Sequence, residues 1–216
     1  MDSEVEALDY DAMDFDDVNA AFCADLLTAV PNPKRCLDVG TGTGRIPLRL
    51  CKEHLAVRVV GVDLAGHMLK QAALNVQQAN LADRISFRLV DAKSLVGVES
   101  FDVVMSNSLI HHVPNPETAL RAMWGCVHAG GTLFVRDLAR PDSSEAVELI
   151  LSKHAGAPPA REEEKPRFER QVFFFRASLH AALTLEEVRE VARAVGIVNP
   201  AVEMTSDRHW TLRATK

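Results

Sequence analysis

Apolar residues along the chain fall into two alternating kinds of run. Short stretches dense in Val, Ile, Leu and Phe cover about residues 35–40, 58–64, 84–90, 101–106 and 132–138, lengths that suit buried strands. Between them, residues 44–54, 66–79 and 116–128 carry apolar side chains at the spacing of amphipathic helices. Alternation of this kind predicts a parallel sheet whose ligands bind at the C-terminal ends of the strands. Gly130-Gly131 is expected to break the last of these helices ahead of the fifth strand. Farther on, Thr184 and Glu187 make a capping-box pattern that opens a helix to about Val195, stopped by Gly196. Two short strands, 201–205 and 209–214, end the series.

One strand runs into unusual chemistry. Residues 36–44 read Cys-Leu-Asp-Val-Gly-Thr-Gly-Thr-Gly, placing Gly40, Gly42 and Gly44 at every second position just after Asp38. Glycines so spaced let the backbone turn sharply and leave bare peptide for a ligand. The spacing is not the Gly-x-Gly-x-x-Gly of a dinucleotide turn, and no Gly-Lys-Ser/Thr follows to make a triphosphate loop. A carboxylate at Asp38 repels phosphate at short range and suits a cationic amine. The ligand expected there carries an amino acid moiety.

The run resembles motif I of the class I S-adenosylmethionine-dependent methyltransferases, and the resemblance continues in register. Residues 58–64 (Arg-Val-Val-Gly-Val-Asp-Leu) match motif II, with Asp63 placed to accept both ribose hydroxyls. Asp91 and Ala92 follow the third strand, where the family contacts the adenine amino group and ring. Residues 101–113, Phe-Asp-Val-Val-Met-Ser-Asn-Ser-Leu-Ile-His-His-Val, look like motif IV of the small-molecule branch, which includes quinone C-methyltransferases. The resemblance covers roughly residues 35–140. It implies a doubly wound α/β fold: a seven-stranded, mostly parallel sheet with a C-terminal antiparallel hairpin and helices on both faces. It also implies S-adenosylmethionine as cofactor and S-adenosylhomocysteine as product. Asp38, Gly40, Thr41, Gly42, Gly44, Asp63, Leu64, Met68, Asp91, Ala92 and Asn107 are the expected cofactor contacts, with Tyr10 from the N-terminal segment.

Composition narrows the acceptor. The 216 residues, 47% hydrophobic, suit one domain with a single large core. Thirty acids against twenty-four bases give a net charge of −6, and no basic cluster offers itself to a phosphate backbone. A small-molecule substrate is therefore expected rather than nucleic acid. Ser106-Asn107-Ser108-Leu109 also lacks the Asn/Asp-Pro-Pro-Tyr of many methylators of base and glutamine amines. Cys23, Cys36, Cys51 and Cys126 form no Cys-x-x-Cys pair and read as buried thiols. No near-twenty-residue apolar run or signal segment appears, so a cytoplasmic protein off the membrane is expected, as monomer or homodimer.

Two segments lie outside the scaffold. Residues 1–33 hold nine acids and no Lys or Arg, with Tyr10, Met13, Phe15, Val18, Phe22 and Leu26 spaced along one helical face. Two readings stand open: a helical extension that closes the cofactor site through Tyr10, Met13 and Phe15, or a solvated acidic helix. Residues 141–183 form a lid-like insertion in which Phe168, Phe173, Phe174, Phe175 and His180 either wall an apolar pocket or pack in the core.

Methyl transfer from a sulfonium needs alignment and water exclusion, and a base only for a protonated acceptor. Candidates past strands four and five are Asn107, His111, His112, Arg136 and Asp137, with His111 the favoured base and the other histidine packing or facing solvent. His209 is a further catalytic candidate at the start of the last strand. Arg136-Asp137 either binds a charged substrate group or forms an internal ion pair with Arg140 at the lid root. His111, Asp137 and His209 lack metal-site spacing, and no metal is expected. Two other functions fit the pattern less well: an RNA or DNA methyltransferase, and a non-catalytic S-adenosylmethionine binder.

Overall fold

The computed structural model describes residues 3–13 and 15–216. Its centre is a seven-stranded sheet in the order β3-β2-β1-β4-β5-β7-β6. The strands are β1 (Arg35–Val39), β2 (Arg58–Asp63), β3 (Ile85–Leu89), β4 (Phe101–Asn107), β5 (Val127–Leu138), β6 (Ala201–Met204) and β7 (His209–Thr215). The first five pair in parallel, while β7 runs antiparallel to both β5 and β6. The helices are α1 (Glu4–Asp11), α2 (Asp16–Ala29), α3 (Arg45–Glu53), α4 (Gly66–Gln78), α5 (Pro116–Cys126), α6 (Ser144–His154), α7 (Lys165–Ala181) and α8 (Leu185–Ala194).

Alternation along each strand feeds two cores. Leu37, Val39, Val104, Leu133 and Val135 pack with α5 and α8 on one face. Cys36, Val59, Val103, Met105 and Phe134 pack with α2, α3 and α4 on the other. Local signals set the ends of the helices. Asn115 caps α5 with Pro116 at its first position, and Thr184 and Glu187 complete the capping box of α8.

The strand series agrees with the sequence except around β5. The helix ends at Cys126, not 128, and Gly130-Gly131 lies inside the strand. Phe101 pairs with Val127 while Val103 pairs with Thr132, so residues 128–131 bulge outward. Gly130 turns there with φ +83°, and a Cβ on Gly131 would stand 2.9 Å from the Asp102 carbonyl oxygen. The glycines serve a bulge, not a helix stop.

The N-terminal segment is likewise not one helix. It breaks between α1 and α2, and Phe22 and Leu26 of α2 are fully buried against the sheet. Among the described residues no helix is long and apolar enough to cross a membrane.

Candidate functional site

The site is built where β1 ends. Gly40, Gly42 and Gly44 all take positive φ, +77°, +53° and +76°, a left-handed geometry that other residues adopt only with strain. The turn is tied to β2 as it forms: Gly40 and Thr41 N–H donate to the Val62 carbonyl at 2.9 and 3.0 Å, and Gly42 N–H donates to Asp63 Oδ2 at 2.9 Å. Asp63 Oδ1 accepts from Ala65 N–H, also at 2.9 Å. Each carboxylate oxygen of Asp63 thus keeps a lone pair for a ligand hydroxyl. Leu109 covers Gly40 so closely that a Cβ there would lie 2.9 Å from its Cδ1.

A cavity of about 210 Å³ opens beside the turn. Asp38 and Asn107 enter it from the same sheet face, two residues beyond Cys36 and Met105 of the α2–α3–α4 core. Tyr10, Met13, Phe15 and Asn19 cover it from α1, α2 and the link between them. Among the described residues five buried side-chain polar atoms have no partner, and four of them line this cavity: Asp38 Oδ2, Thr41 Oγ1, Thr43 Oγ1 and Asn107 Oδ1. Nothing in the structure explains the fifth, Trp210 Nε1. A buried polar atom left unpaired costs on the order of 1–3 kcal/mol, so four at one cavity mark a place where a polar ligand supplies the partners. The set fits the amino acid end of S-adenosylmethionine: two carbonyl-type acceptors for an ammonium and two hydroxyls for a carboxylate. Burial pushes the Asp38 carboxyl up to about 7, with the nearby Thr41 hydroxyl opposing and Asp63 adding to the rise.

The N-terminal cap is fixed by its own contacts. Asp11 accepts from Arg45 Nε at 2.8 Å and Nη2 at 2.6 Å, and from Asn75 Nδ2 at 2.9 Å. Asn75 in turn reaches the Thr43 carbonyl at 3.0 Å. The Tyr10 ring lies over the turn, 3.6 Å from where a Gly42 Cβ would be. Its hydroxyl is pushed up by burial, then by Asp63 and Asp38. Tyr10, Met13 and Phe15 thus line the cavity, while Glu4, Asp17 and Asp25 of the same segment face solvent.

The other expected cofactor residues stand outside this cavity. Met68 is buried on α4, and Ala92 packs against the α5–α8 core. Leu64 turns its side chain to solvent. Asp91 accepts from Lys93 N–H at 2.9 Å and sits 3.2 Å from its Nζ; that backbone bond is the largest influence holding its carboxyl low.

Past β4, a single 3-10 turn (Ile110–His112) sets His111 against Asp137 at the end of β5, with Nδ1 to Oδ1 at 2.5 Å. Asp137 is almost fully buried and also accepts from the backbone N–H of Ile110, His111 and Leu138. This web holds the imidazole through Nδ1, and the His111 side chain is almost fully buried. The His112 ring lies tilted against His111, 3.9 Å between ring centroids, and the residue is exposed.

None of the three expected catalytic residues, His111, Asp137 and His209, lines the cavity. His209 pairs with Leu138 across β5–β7, is buried, and binds the Ser206 hydroxyl through Nδ1 at 2.9 Å. Burial and the adjacent Arg208 and Arg136 hold it down to about 4, and it is not part of the cavity wall. Arg136 does not pair with Asp137: it reaches Asp25 at 2.5 Å and Thr211 at 2.9 Å, while Arg140 pairs with Glu187. The Phe-rich stretch does not wall this cavity. Phe173 and Phe174 are exposed on α7, His180 is exposed, and Phe175 packs with α6. No cluster of metal ligands exists among the described residues. Asp11, Arg45, Asn75 and Thr43 were not legible as site residues, because their partners lie 32–64 positions apart or on backbone atoms.

A family model described as "Methyltransferase domain" matches residues 37–135. The chain is 30% identical over 122 residues to a ubiquinone biosynthesis O-methyltransferase of Xanthomonas campestris pv. campestris, covering 56% of this chain and 49% of that protein. It is 33% identical over 113 residues to a demethylmenaquinone methyltransferase of Porphyromonas gingivalis, covering 51% and 46%. The chain spans about half the length of the curated relatives it matches. A crystallised SAM-dependent methyltransferase from Aquifex aeolicus shares the fold, with a TM-score of 0.71 at 15% identity over 99% of this chain and 98% of that one.

Proposed function

We propose that this chain, which belongs to the class I S-adenosylmethionine-dependent methyltransferases, transfers a methyl group from that cofactor to a small-molecule acceptor. The observation that carries the reading is the set of unpartnered buried atoms on Asp38, Thr41, Thr43 and Asn107 around the glycine turn. Bound S-adenosylmethionine supplies a methyl already activated on a sulfonium. The protein's own task is to hold, align and keep water out. Asp38 and Asn107 take the ammonium, the two threonine hydroxyls the carboxylate, and Asp63 the ribose hydroxyls. Met68, the Leu64 backbone, Asp91 and Ala92 line the adenine end, and Tyr10 with Met13 and Phe15 covers the site.

His111 removes the acceptor's proton through Nε2, while Asp137 holds Nδ1–H and so fixes the tautomer that leaves Nε2 a base. A base is needed for phenol, enol or thiol acceptors, whose nucleophilic form is the anion. The net charge of −6 supports a small acceptor over a polyanion. Relatives named for ubiquinone biosynthesis and demethylmenaquinone accord with an aromatic hydroxyl or ring carbon. We place the chain in the cytoplasm as one domain, monomeric or homodimeric, with residues 141–183 flanking the acceptor side. The test is transfer of labelled methyl from S-adenosylmethionine to a panel of phenols, quinols, thiols and small amines. Labelled product with the wild type, falling at least 100-fold in His111→Ala, supports the reading; labelling of RNA in place of every small molecule would overturn it.

A further inference from the structure

Another cavity lies at the opposite end of the sheet. Arg35, Arg58 and Arg84 stand in one row there, at the N-terminal ends of β1, β2 and β3. Arg35 pairs directly with Arg58, and Arg84 precedes Ile85, the partner of Val59. All three line a groove of about 190 Å³ together with Ser86 and Phe101. Like charges set side by side across neighbouring strands are destabilising, and here three cations occupy consecutive positions in a chain of net charge −6.

Internal partners use only part of the three guanidinium groups. Arg35 gives Nη2 to Glu99 at 2.5 Å and lies over the Phe101 ring, 5.3 Å from its centroid. Arg58 gives Nη1 to the Asp83 carbonyl at 2.6 Å. Arg84 gives Nη2 to the Cys51 carbonyl in the last turn of α3 and Nη1 to the carbonyls of His54 and Leu55 beyond it. The bonds of Arg35 and Arg58 leave Nε and a second terminal nitrogen on each. The acids nearby are Glu99, Asp83 and Asp102, the last engaged by His128 and by Arg35 N–H.

The geometry points to a second binding site for a small dianion of the phosphate type, presented by a phosphorylated metabolite. Planar guanidinium forks suit phosphate oxygens in a bidentate manner, and a dianion between Arg35 and Arg58 relieves their mutual repulsion. The groove is separate from the methyl-transfer site. From Arg35 to Val39 the strand climbs about 13 Å, so a ligand here does not compete with one on the glycine turn.

The test titrates the full chain at low ionic strength with inorganic phosphate, a simple phosphomonoester and a dicarboxylate, by calorimetry and thermal shift. The wild type, Arg35→Gln and Arg58→Gln are compared; Arg84 is left intact because it closes α3. Expected is saturable binding of phosphate and phosphomonoester, weakened at least tenfold in each variant, with a rise in melting temperature that the variants lose. S-adenosylmethionine affinity serves as the folding control and stays within twofold. Tighter binding of the dicarboxylate overturns the phosphate assignment. Absence of saturable binding, or binding by both variants as tight as by the wild type, overturns the site itself.

Discussion

Asp38→Asn is expected to strengthen the fold while disabling the site. Asp38 is 2% exposed and its Oδ2 has no partner, so burial raises its carboxyl from 3.8 to about 7. A carboxyl raised on folding is protonated in the native chain where the unfolded chain has already ionised. Stability is therefore full below the unfolded value of 3.8 and declines as pH rises toward 7. At about 1.4 kcal/mol per unit, the decline reaches roughly 4 kcal/mol once pH exceeds 7. The amide cannot ionise and escapes this cost, although its own buried donors return about 1–2 kcal/mol of it. The net gain at pH 8 is about 2–3 kcal/mol, or roughly 4–12 °C for a chain of this size; it passes through zero at about pH 5, and below that the variant is the less stable by about 1–2 kcal/mol. Urea unfolding of both proteins at pH 4.5 and pH 8 reads the difference directly. A wild type whose stability holds level or rises relative to Asp38→Asn across that interval would refute the buried-acid reasoning. Binding runs the opposite way. A ligand ammonium needs the ionised carboxylate, so wild-type affinity falls about tenfold per pH unit below 7, and Asp38→Asn loses at least 100-fold at pH 8.

Three further perturbations probe the rest of the site. Asp137→Asn keeps the buried volume but loses the acceptor that fixes His111 Nδ1; turnover should fall about 10²–10⁴-fold with cofactor affinity unchanged, and a matching loss of affinity would make Asp137 structural only. Gly40→Ala combines φ +77° with a Cβ 2.9 Å from Leu109 Cδ1, for a cost of about 2–4 kcal/mol that chemical denaturation measures. Asp11→Ala removes the bonds to Arg45 and Asn75; it should speed cofactor release in stopped-flow chase experiments by about tenfold with little change in melting temperature, and an unchanged rate argues against α1 as a cover.

The centre of the sheet was legible because β1, β4 and β5 are largely buried and read as apolar runs, and β1, β2 and β4 each carry a polar residue of the site at or beside the end. Asp38, Asp63 and Asn107 end β1, β2 and β4 or stand one residue inside the end, so strand and site residue are found together. What failed depends on neighbours distant in sequence. Gly130-Gly131 reads as a helix stop until Phe101 and Val103 are seen to pair around it. Arg136 beside Asp137 suggests an adjacent pair, yet alternation along β5 sends them to opposite faces, toward Asp25 and His111. The phenylalanines of residues 168–175 fall on nearly all sides of α7, so composition alone gave no direction for them. Asp11 carries no local mark among nine acids; its importance comes from Arg45 and Asn75, which only the fold brings near.

The central claim is that the glycine turn with Asp38 holds S-adenosylmethionine, and calorimetric titration of the wild type and Asp38→Asn with S-adenosylmethionine, S-adenosylhomocysteine and NAD tests it most directly. The account predicts one site per chain, micromolar-range binding of the first two by the wild type, none of NAD, and loss of both in the variant. Binding of NAD, or S-adenosylmethionine affinity that Asp38→Asn leaves untouched, would contradict it.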